Sequence, residues 1–175
     1  MKRRNSVPAA WIEEASETAR KALTSVPEFQ RAVSLALFVP HLGEVQIGPL
    51  MEELIGKKSR RICVPAHDEV QDRYRFCWIG SATVWSDGPH GIPQPNSMEW
   101  VTDASLDVII IPCVGYDAKG RRLGHGQGHY DRILARFGGC RMGLAFSFQE
   151  VDALPEAEHD QKMDVIVTEK GINRC

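Results

Sequence analysis

Residues 107–112 read DVIIIP, a continuous run of branched apolar side chains between an aspartate and a proline. Neighbouring side chains of a strand point to opposite faces, so such a run predicts a strand that is covered on both faces, as in the centre of a parallel sheet. A glycine-rich loop and a predicted helix over residues 129–137 follow it. Strands that alternate with helices are typical of α/β folds, whose ligands bind at the carboxyl ends of the strands.

Helices and strands alternate along the rest of the chain as well. Apolar residues at three- and four-residue spacing predict a helix over residues 8–23, and a second helix is predicted over residues 49–55. The other predicted strands are residues 33–39, 61–64, 73–79, 141–146 and 163–168. Residues 86–97, rich in Gly and Pro, are predicted to form a loop. We therefore predict a single domain, residues 1–175, with a mostly parallel sheet and helices on both faces.

Composition and charge exclude several classes of protein. Of 175 residues, 43% are hydrophobic and 25% charged, and the 21 basic and 23 acidic side chains leave a net charge of −2. This balance argues against a nucleic-acid partner, because such domains usually carry a basic excess. No apolar run approaches the roughly 18–20 residues of a membrane span. Five cysteines without a Cys-x-x-Cys pair indicate reduced cytoplasmic thiols. We also expect a monomer without a membrane partner.

The glycine-rich loop after the central strand is the candidate site. Gly124, Gly126 and Gly128 alternate immediately before the predicted helix. Glycine allows positive φ and lets an anion approach the backbone, so the N–H groups of this loop and of the helix start would form an anion site. Arg121 and Arg122 before the loop and Arg132 in the predicted helix would add positive charge. Asp131 is available to hold a Mg²⁺ ion that bridges phosphate oxygens.

The loop matches neither of the two common phosphate-binding patterns. Its spacing is G-x-G-x-G rather than G-x-G-x-x-G, and no Gly-Lys-Ser/Thr follows, as a P-loop requires. From these residues alone, the loop is either a phosphate site or a glycine-rich turn without a ligand. His125 and His129 lie four residues apart, but glycines separate them and the zinc motif H-E-x-x-H is absent, so we do not expect zinc.

A longer string, LDVIIIPCVGYDAKGRRLGHGQGHYDRIL at residues 106–134, resembles the signature of 5-formyltetrahydrofolate cyclo-ligase, also called methenyltetrahydrofolate synthetase. That family reads approximately L-D-hydrophobic-P-G-hydrophobic-A/G-F-D-x-x-G-x-R-L-G-x-G-x-G-Y-Y-D. Three other segments resemble further family motifs in the same order: GEV at 43–45, GIPQP at 91–95, and HD at 159–160 with MDVIVT at 163–168. The resemblance implies a three-layer α/β fold of the NagB/RpiA/CoA-transferase-like type.

The resemblance also implies an ATP- and Mg²⁺-dependent ligase that acts on 5-formyltetrahydrofolate. In that reaction ATP phosphorylates the formyl oxygen, N10 attacks the activated carbon, and phosphate leaves as the 5,10-methenyl ring closes. Such chemistry requires mainly positioning and charge neutralisation from the protein.

Roles for individual residues follow from the same resemblance. The residues expected to bind ATP are Arg122, Leu123, Gly124, His125, Gly126, Gln127, Gly128, His129 and Tyr130. Asp131 and Asp160 would hold Mg²⁺. The residues expected to contact the folate are Val39, Glu44 and His129, and those expected to be catalytic are Glu44, Arg122 and Tyr130. A carboxylate suits the folate site because it can accept the paired N–H donors of a pterin together.

Two other functions stay open at this point. One is a relative that binds a nucleotide or folate without turnover. One reason is that the family's first helix begins with a Lys and an Arg that help bind ATP, where this chain offers only Lys2, Arg3 and Arg4. The other reason is that the family's E-V/I-D/E-T loop reads EVQI at residues 44–47. The other open function is that of a sugar-phosphate isomerase, because similar architectures host such enzymes and a fold does not determine function.

Overall fold

Helices and strands alternate along the chain in the computed structural model, which describes residues 7–41, 43–57, 59–96, 98–102, 105–124, 126, 128–157 and 160–175. The helices in these ranges are α1 (Ala9–Ser25), α2 (Pro27–Arg31), α3 (Gly48–Ile55) and α4 (His129–Leu134). The strands are β1 (Ser34–Ala36), β2 (Arg61–Asp68), β3 (Arg73–Ile79), β4 (Trp85–Asp87), β5 (Pro93–Pro95), β6 (Val108–Pro112), β7 (Gly115–Tyr116), β8 (Arg122–Leu123), β9 (Cys140–Leu144), β10 (Val165–Thr168) and β11 (Gly171–Arg174). Within the described residues, no helix has both the length and the apolar character to span a bilayer.

Seven strands form one sheet in the order β11-β10-β9-β6-β1-β2-β3. The five inner strands run parallel. The two edge strands, β3 and β11, run antiparallel to β2 and β10. The DVIIIP segment supplies β6, which lies between β1 and β9, so it occupies the central position that its apolar run predicts. The predicted mostly parallel sheet is confirmed.

The inner strands contribute side chains to two cores, one on each face of the sheet. The first core joins them to α1, α2 and α3, and includes Ala19, Leu23, Phe29, Leu35, Leu54, Val108 and Ile110. The second core joins them to α4, and includes Ala36, Ile109, Ile111, Ile133 and Leu134. Because neighbouring side chains of a strand face opposite ways, a continuous apolar run serves both cores. Helices therefore cover both faces, as predicted.

Several boundaries differ from the predicted ones. β1 ends at Ala36 rather than at residue 39, although Leu37 and Phe38 stay buried, because the chain leaves the sheet while still packed in the core. β2 continues to Asp68, four residues beyond the predicted end, because residues 62–68 pair with β3. The helix predicted to reach residue 137 ends at Leu134, since the next bonds are i→i+3 contacts that tighten the last turn.

Other elements were not predicted at all. They are α2, the hairpin of β7 and β8, the edge strand β11, and the hairpin of β4 and β5 within the predicted loop at residues 86–97. The loop prediction is wrong for β4 and β5 because proline normally argues against a strand. Here the two prolines of β5 pair with Trp85 and Asp87 of β4, in a two-stranded ribbon where missing N–H donors are tolerated.

Candidate active site

A cavity lies at the carboxyl ends of β1 and β6, where Val39 follows the first strand and Pro112 ends the second. The chain passes from β1 to β2 on one side, whereas β6 pairs with β1 on the other, so this is the point where the strand order reverses. Open α/β sheets bind ligands at such a point. The cavity has a volume of about 840 Å³, which is within the range of small-molecule and cofactor sites.

The site residues predicted from the sequence lie together around this cavity. Those among the described residues are Val39, Glu44, Arg122, Leu123, Gly124, Gly126, Gly128, His129, Tyr130, Asp131 and Asp160, and all of them line it. His125 and Gln127 were also predicted to bind ATP and lie outside the described residues. Segments that are distant in sequence thus share one cavity, and the individual roles stay predictions.

Arg122 is a buried cation in the cavity wall. Its side chain is 5% exposed, and its Nη2 lies 3.3 Å from Oδ1 of Asp131. Its guanidinium carbon lies 5.5 Å from the centroid of the Tyr130 ring. The Nε atom is buried and has no hydrogen-bond acceptor among the described residues. A buried donor without a partner costs about 1–3 kcal/mol, so an arginine held in this state fits a site for an anionic ligand such as a nucleotide phosphate.

The glycines around Arg122 are needed by the local backbone. Gly126 and Gly128 have φ values of 86° and 63°, in the left-handed region that favours glycine. A Cβ atom on Gly124 would lie 2.6 Å from Nη1 of Arg122. The absence of a Cβ atom at Gly124 therefore leaves room for the Arg122 side chain in the cavity wall.

Glu44 and Tyr130 also belong to the cavity wall. Glu44 is 7% exposed, and its Oε2 accepts a hydrogen bond from the His41 N–H at 2.9 Å. Burial and then the negative charge of Glu44 raise the pKa of Tyr130 far above its usual value, although Arg122 partly opposes the shift. Tyr130 therefore stays protonated and is a hydrogen-bond donor rather than a base. Burial raises the pKa of the Cys113 thiol to about 12, so this thiol is not a nucleophile.

The two predicted metal ligands lie on different segments of the chain in the cavity wall. Asp131 belongs to α4 and pairs with Arg122, whereas Oδ2 of Asp160 accepts a hydrogen bond from the Ala157 N–H at 2.8 Å. Among the residues that the structure describes, no three or more His, Cys, Asp or Glu side chains come together as a metal cage. Mg²⁺ is usually held by one or two carboxylates together with phosphate oxygens and water. These hard oxygen ligands therefore fit a Mg²⁺ ion that is bound together with a nucleotide.

One wall of the cavity was not predicted from the sequence. Tyr74 on β3 lies 4.6 Å from His129, measured between ring centroids, and His90 belongs to the turn between β4 and β5. The other unpredicted lining residues are Phe38, His41, Pro65, Ile92, Pro112, Ile133, Leu154 and Pro155. The alternating pattern around Tyr74 indicates a strand but not what the strand faces. The GIPQP motif is the signal that could have pointed to Ile92.

His129 is held as a neutral imidazole. Burial, followed by the nearby Arg132, His67 and His90, lowers its pKa below the ordinary value. Nη2 of Arg132 donates a hydrogen bond to Nδ1 of His129 at 2.8 Å. Because a guanidinium can only donate, Nδ1 must accept, and the ring proton is placed on Nε2. His129 thus offers one N–H donor from the start of α4.

Comparisons with known proteins indicate the family of this chain. The sequence profile of the 5-formyltetrahydrofolate cyclo-ligase family matches residues 1–169. The chain is 28% identical over 172 residues to the 5-formyltetrahydrofolate cyclo-ligase of Escherichia coli strain K12, covering 95% of this chain and 94% of the relative. It is 27% identical over 159 residues to the mouse 5-formyltetrahydrofolate cyclo-ligase, covering 81% and 76%.

A solved structure of a methenyltetrahydrofolate synthetase is also similar to this chain. The NMR structure of the 5,10-methenyltetrahydrofolate synthetase of Aquifex aeolicus superposes with a TM-score of 0.87 at 34% sequence identity, covering 99% of this chain and 87% of the other. Together with the profile match over residues 1–169, this likeness shows that the chain belongs to the 5-formyltetrahydrofolate cyclo-ligase family.

Proposed function

We propose that this chain converts 5-formyltetrahydrofolate to 5,10-methenyltetrahydrofolate in an ATP- and Mg²⁺-dependent reaction. Its family consists of ligases, and the activity is that named for its relatives. The observation that carries the proposal is the buried Arg122, with a donor left without an acceptor in the described structure, in one cavity with Glu44, Asp131 and Asp160. Bound ATP would supply the phosphoryl group that converts the formyl oxygen into a leaving group.

The phosphate half of the cavity is the wall formed by Arg122, the glycine loop, Asp131 and Asp160. Arg122 neutralises phosphate charge from within a protein wall, where a charge acts more strongly than in water. Asp131 and Asp160 would hold the Mg²⁺ ion against the phosphate oxygens. Since the reaction needs no covalent nucleophile, the raised pKa of Cys113 is consistent with it.

The folate half of the cavity is the wall formed by Val39, Glu44 and His129. The Glu44 carboxylate is held in place by the His41 N–H and would accept hydrogen bonds from the pterin, while Val39 contacts its apolar face. The Tyr130 hydroxyl interacts with the charges of both Arg122 and Glu44. In its protonated form it would donate a hydrogen bond near the junction of the two substrates.

No finding supports the non-catalytic relative or the isomerase that the sequence left open. The five cysteines, all of them among the described residues, form no disulfide, which supports the proposal of a reducing, cytoplasmic environment. The proposal of a monomer rests on the sequence-based expectation alone.

An absorbance assay tests the proposed reaction. Purified protein with Mg²⁺, ATP and 5-formyltetrahydrofolate should form the methenyl product, and omission of either ATP or Mg²⁺ should prevent it. Asp131→Asn should lower kcat/KM for ATP by about 10²-fold or more, because it removes a charged ligand from the phosphate half. Asp152→Asn, at an exposed aspartate outside the cavity lining, is the matched control and should leave turnover unchanged. Absence of ATP-dependent product from the parent protein would contradict the proposal.

A further inference from the structure

A fully buried aspartate lies behind the phosphate half of the cavity without lining it. Asp117 is 0% exposed and begins the turn that joins β7 to β8. Its Oδ1 accepts hydrogen bonds from the N–H groups of Lys119 at 3.0 Å and Arg121 at 3.1 Å. Its Oδ2 accepts one from Nε of Arg121 at 2.6 Å and one from the N–H of Leu154 at 3.0 Å. Three of the four bonds shape the turn itself, whereas the fourth reaches a segment more than thirty residues away in sequence.

Asp117 is ionised in this setting. Burial by itself opposes the charge, but the N–H groups of Leu154 and Arg121, with the Arg121 guanidinium, more than offset it and lower the pKa of Asp117. An ionised carboxylate that accepts several short bonds is a strong local anchor, because charge-assisted hydrogen bonds are about twice as strong as neutral ones.

The same turn holds the distant segment at its other end. The Met163 N–H donates a hydrogen bond to the carbonyl of Gly120 at 2.8 Å. Gly120 has a φ of +77°, and a Cβ atom there would lie 2.4 Å from the carbonyl oxygen of Met163. Leu154 and Met163, which lie on either side of Asp160 in the sequence, are therefore both bonded to one turn, Leu154 to Asp117 and Met163 to Gly120.

Both segments that the turn positions, the one with Asp160 and strand β8, contribute residues to the cavity wall. The segment held at its two ends carries Leu154, Pro155 and Asp160 to the cavity wall. The turn continues directly into β8, which carries Arg122 to the same wall. The distance between the Asp160 segment and the glycine loop is thus set through the turn at residues 117–121.

We propose that Asp117 is a positioning residue that holds the Asp160 segment against the glycine loop and so pre-forms the phosphate half of the cavity. The four hydrogen bonds of Asp117 come from Lys119, Arg121 and Leu154, and none of them reaches Val39, Glu44 or His129 in the folate half. This inference rests on the proposed function, because that function assigns ATP and Mg²⁺ to the phosphate half.

Asp117→Asn tests the proposal, because it removes the charge and turns an amide N–H₂ toward groups that are themselves donors. The readout is the Kd of Mg·ATP in the absence of folate and the Kd of 5-formyltetrahydrofolate in the absence of ATP, both measured by calorimetry. We expect the Kd of Mg·ATP to rise about 10–100-fold, the usual effect of losing a residue that orients a metal site. The Kd of the folate should change less than about twofold, since its wall has other supports.

Asp107→Asn is the matched control. Asp107 also accepts backbone N–H bonds, from Val33 at 2.8 Å and Ser34 at 2.9 Å, but it lies before β6, at the sheet end opposite the cavity. It should lower the thermal midpoint without changing either Kd. Unchanged Mg·ATP binding in folded Asp117→Asn, or equal changes in both Kd values, would show that Asp117 supports folding alone and would overturn the proposal.

Two further outcomes are informative. If Asp117→Asn does not fold, Arg121→Gln is the second variant, because it removes the guanidinium and leaves three backbone donors on Asp117. A few-fold rise in the Kd of Mg·ATP with an unchanged Kd of the folate supports the proposal. An unchanged Kd of Mg·ATP overturns it. If the parent protein binds Mg·ATP but forms no product, the proposed function fails while the Asp117 comparison still decides this proposal. A parent that does not bind Mg·ATP overturns both.

Discussion

Two arginine–carboxylate pairs in this molecule use the same chemical groups in opposite ways. Arg174 on β11 meets Glu28 on α2 through two nitrogens, at 2.9 Å and 3.0 Å, with side chains that are 56% and 29% exposed. Arg122 meets Asp131 through one nitrogen, at 3.3 Å and 3.4 Å, and its side chain is only 5% exposed. The surface pair is bidentate and short, whereas the cavity pair is loose and leaves Nε without an acceptor in the described structure.

The difference separates a contact that stabilises from one that is kept for a ligand. A bidentate surface pair joins the last strand to α2 and contributes up to about 1 kcal/mol. A buried pair contributes little net free energy, because desolvation of the two charges offsets their attraction. A fold that keeps Arg122 buried and only partly bonded gains little stability from it, so the residue is available to bind an anion.

The largest expected difference between the two pairs is the loss of activity when the arginine is replaced. Arg122→Gln should lower kcat/KM for ATP by about 10²-fold or more, because it removes the buried cation from the phosphate half of the cavity. Arg174→Gln should leave kcat/KM unchanged. Steady-state kinetics with the two variants at matched protein concentrations measures this contrast, and equal losses of activity would mean that the comparison is mistaken.

A smaller effect should follow from moving Arg122 without removing it. In Gly124→Ala the new Cβ would lie 2.6 Å from Nη1 of Arg122, so the guanidinium must shift. We expect kcat/KM for ATP to fall about tenfold, as for a catalytic geometry that is displaced by a fraction of an ångström, while the thermal midpoint changes little. Gly80→Ala is the control, since a Cβ there meets nothing within 4 Å. Full activity in Gly124→Ala would indicate that the position of this guanidinium does not limit the reaction.

The smallest effect is on stability and depends on pH. The hydrogen bond from Arg174 lowers the pKa of Glu28 from 4.5 to about 2. Since the folded pKa is depressed, the stabilisation is fully present above about pH 4.5 and is lost as the pH falls from there toward 2. Glu28→Gln should therefore unfold more easily than the parent by up to about 1 kcal/mol at pH 7, and the difference should shrink toward zero near pH 2. Denaturant unfolding at the two pH values measures it, and a difference that does not depend on pH would rule out the ion pair as its source.

The fold was largely predictable where local pattern determines structure. The uninterrupted apolar run of β6 indicated a central strand, and the apolar spacing of α1 indicated a helix, because both patterns report burial directly. Short elements escaped prediction. The four-residue strand β11 and the five-residue helix α2 are too short to show a period, and their existence depends on the partners they meet, such as Arg174 with Glu28.

The candidate site was predictable in part for a similar reason. Residues 122–131 follow one another in the chain, so a motif contains the glycines, Arg122 and Asp131 together. Tyr74 lies about fifty residues away from His129, and only the pairing of β2 with β3 brings its ring to 4.6 Å from the imidazole. No local pattern encodes which face of an edge strand meets a cavity.

The sequence by itself therefore determined the class of fold, the family and the chemical character of the glycine loop, because these depend on residue type and spacing within short segments. Only the tertiary structure decided that the Arg122 Nε has no acceptor among the described residues, and that Asp117 holds the Leu154 backbone. Both facts depend on which groups meet across a packed interior, and such meetings are set by the order and register of the strands rather than by neighbours in the chain.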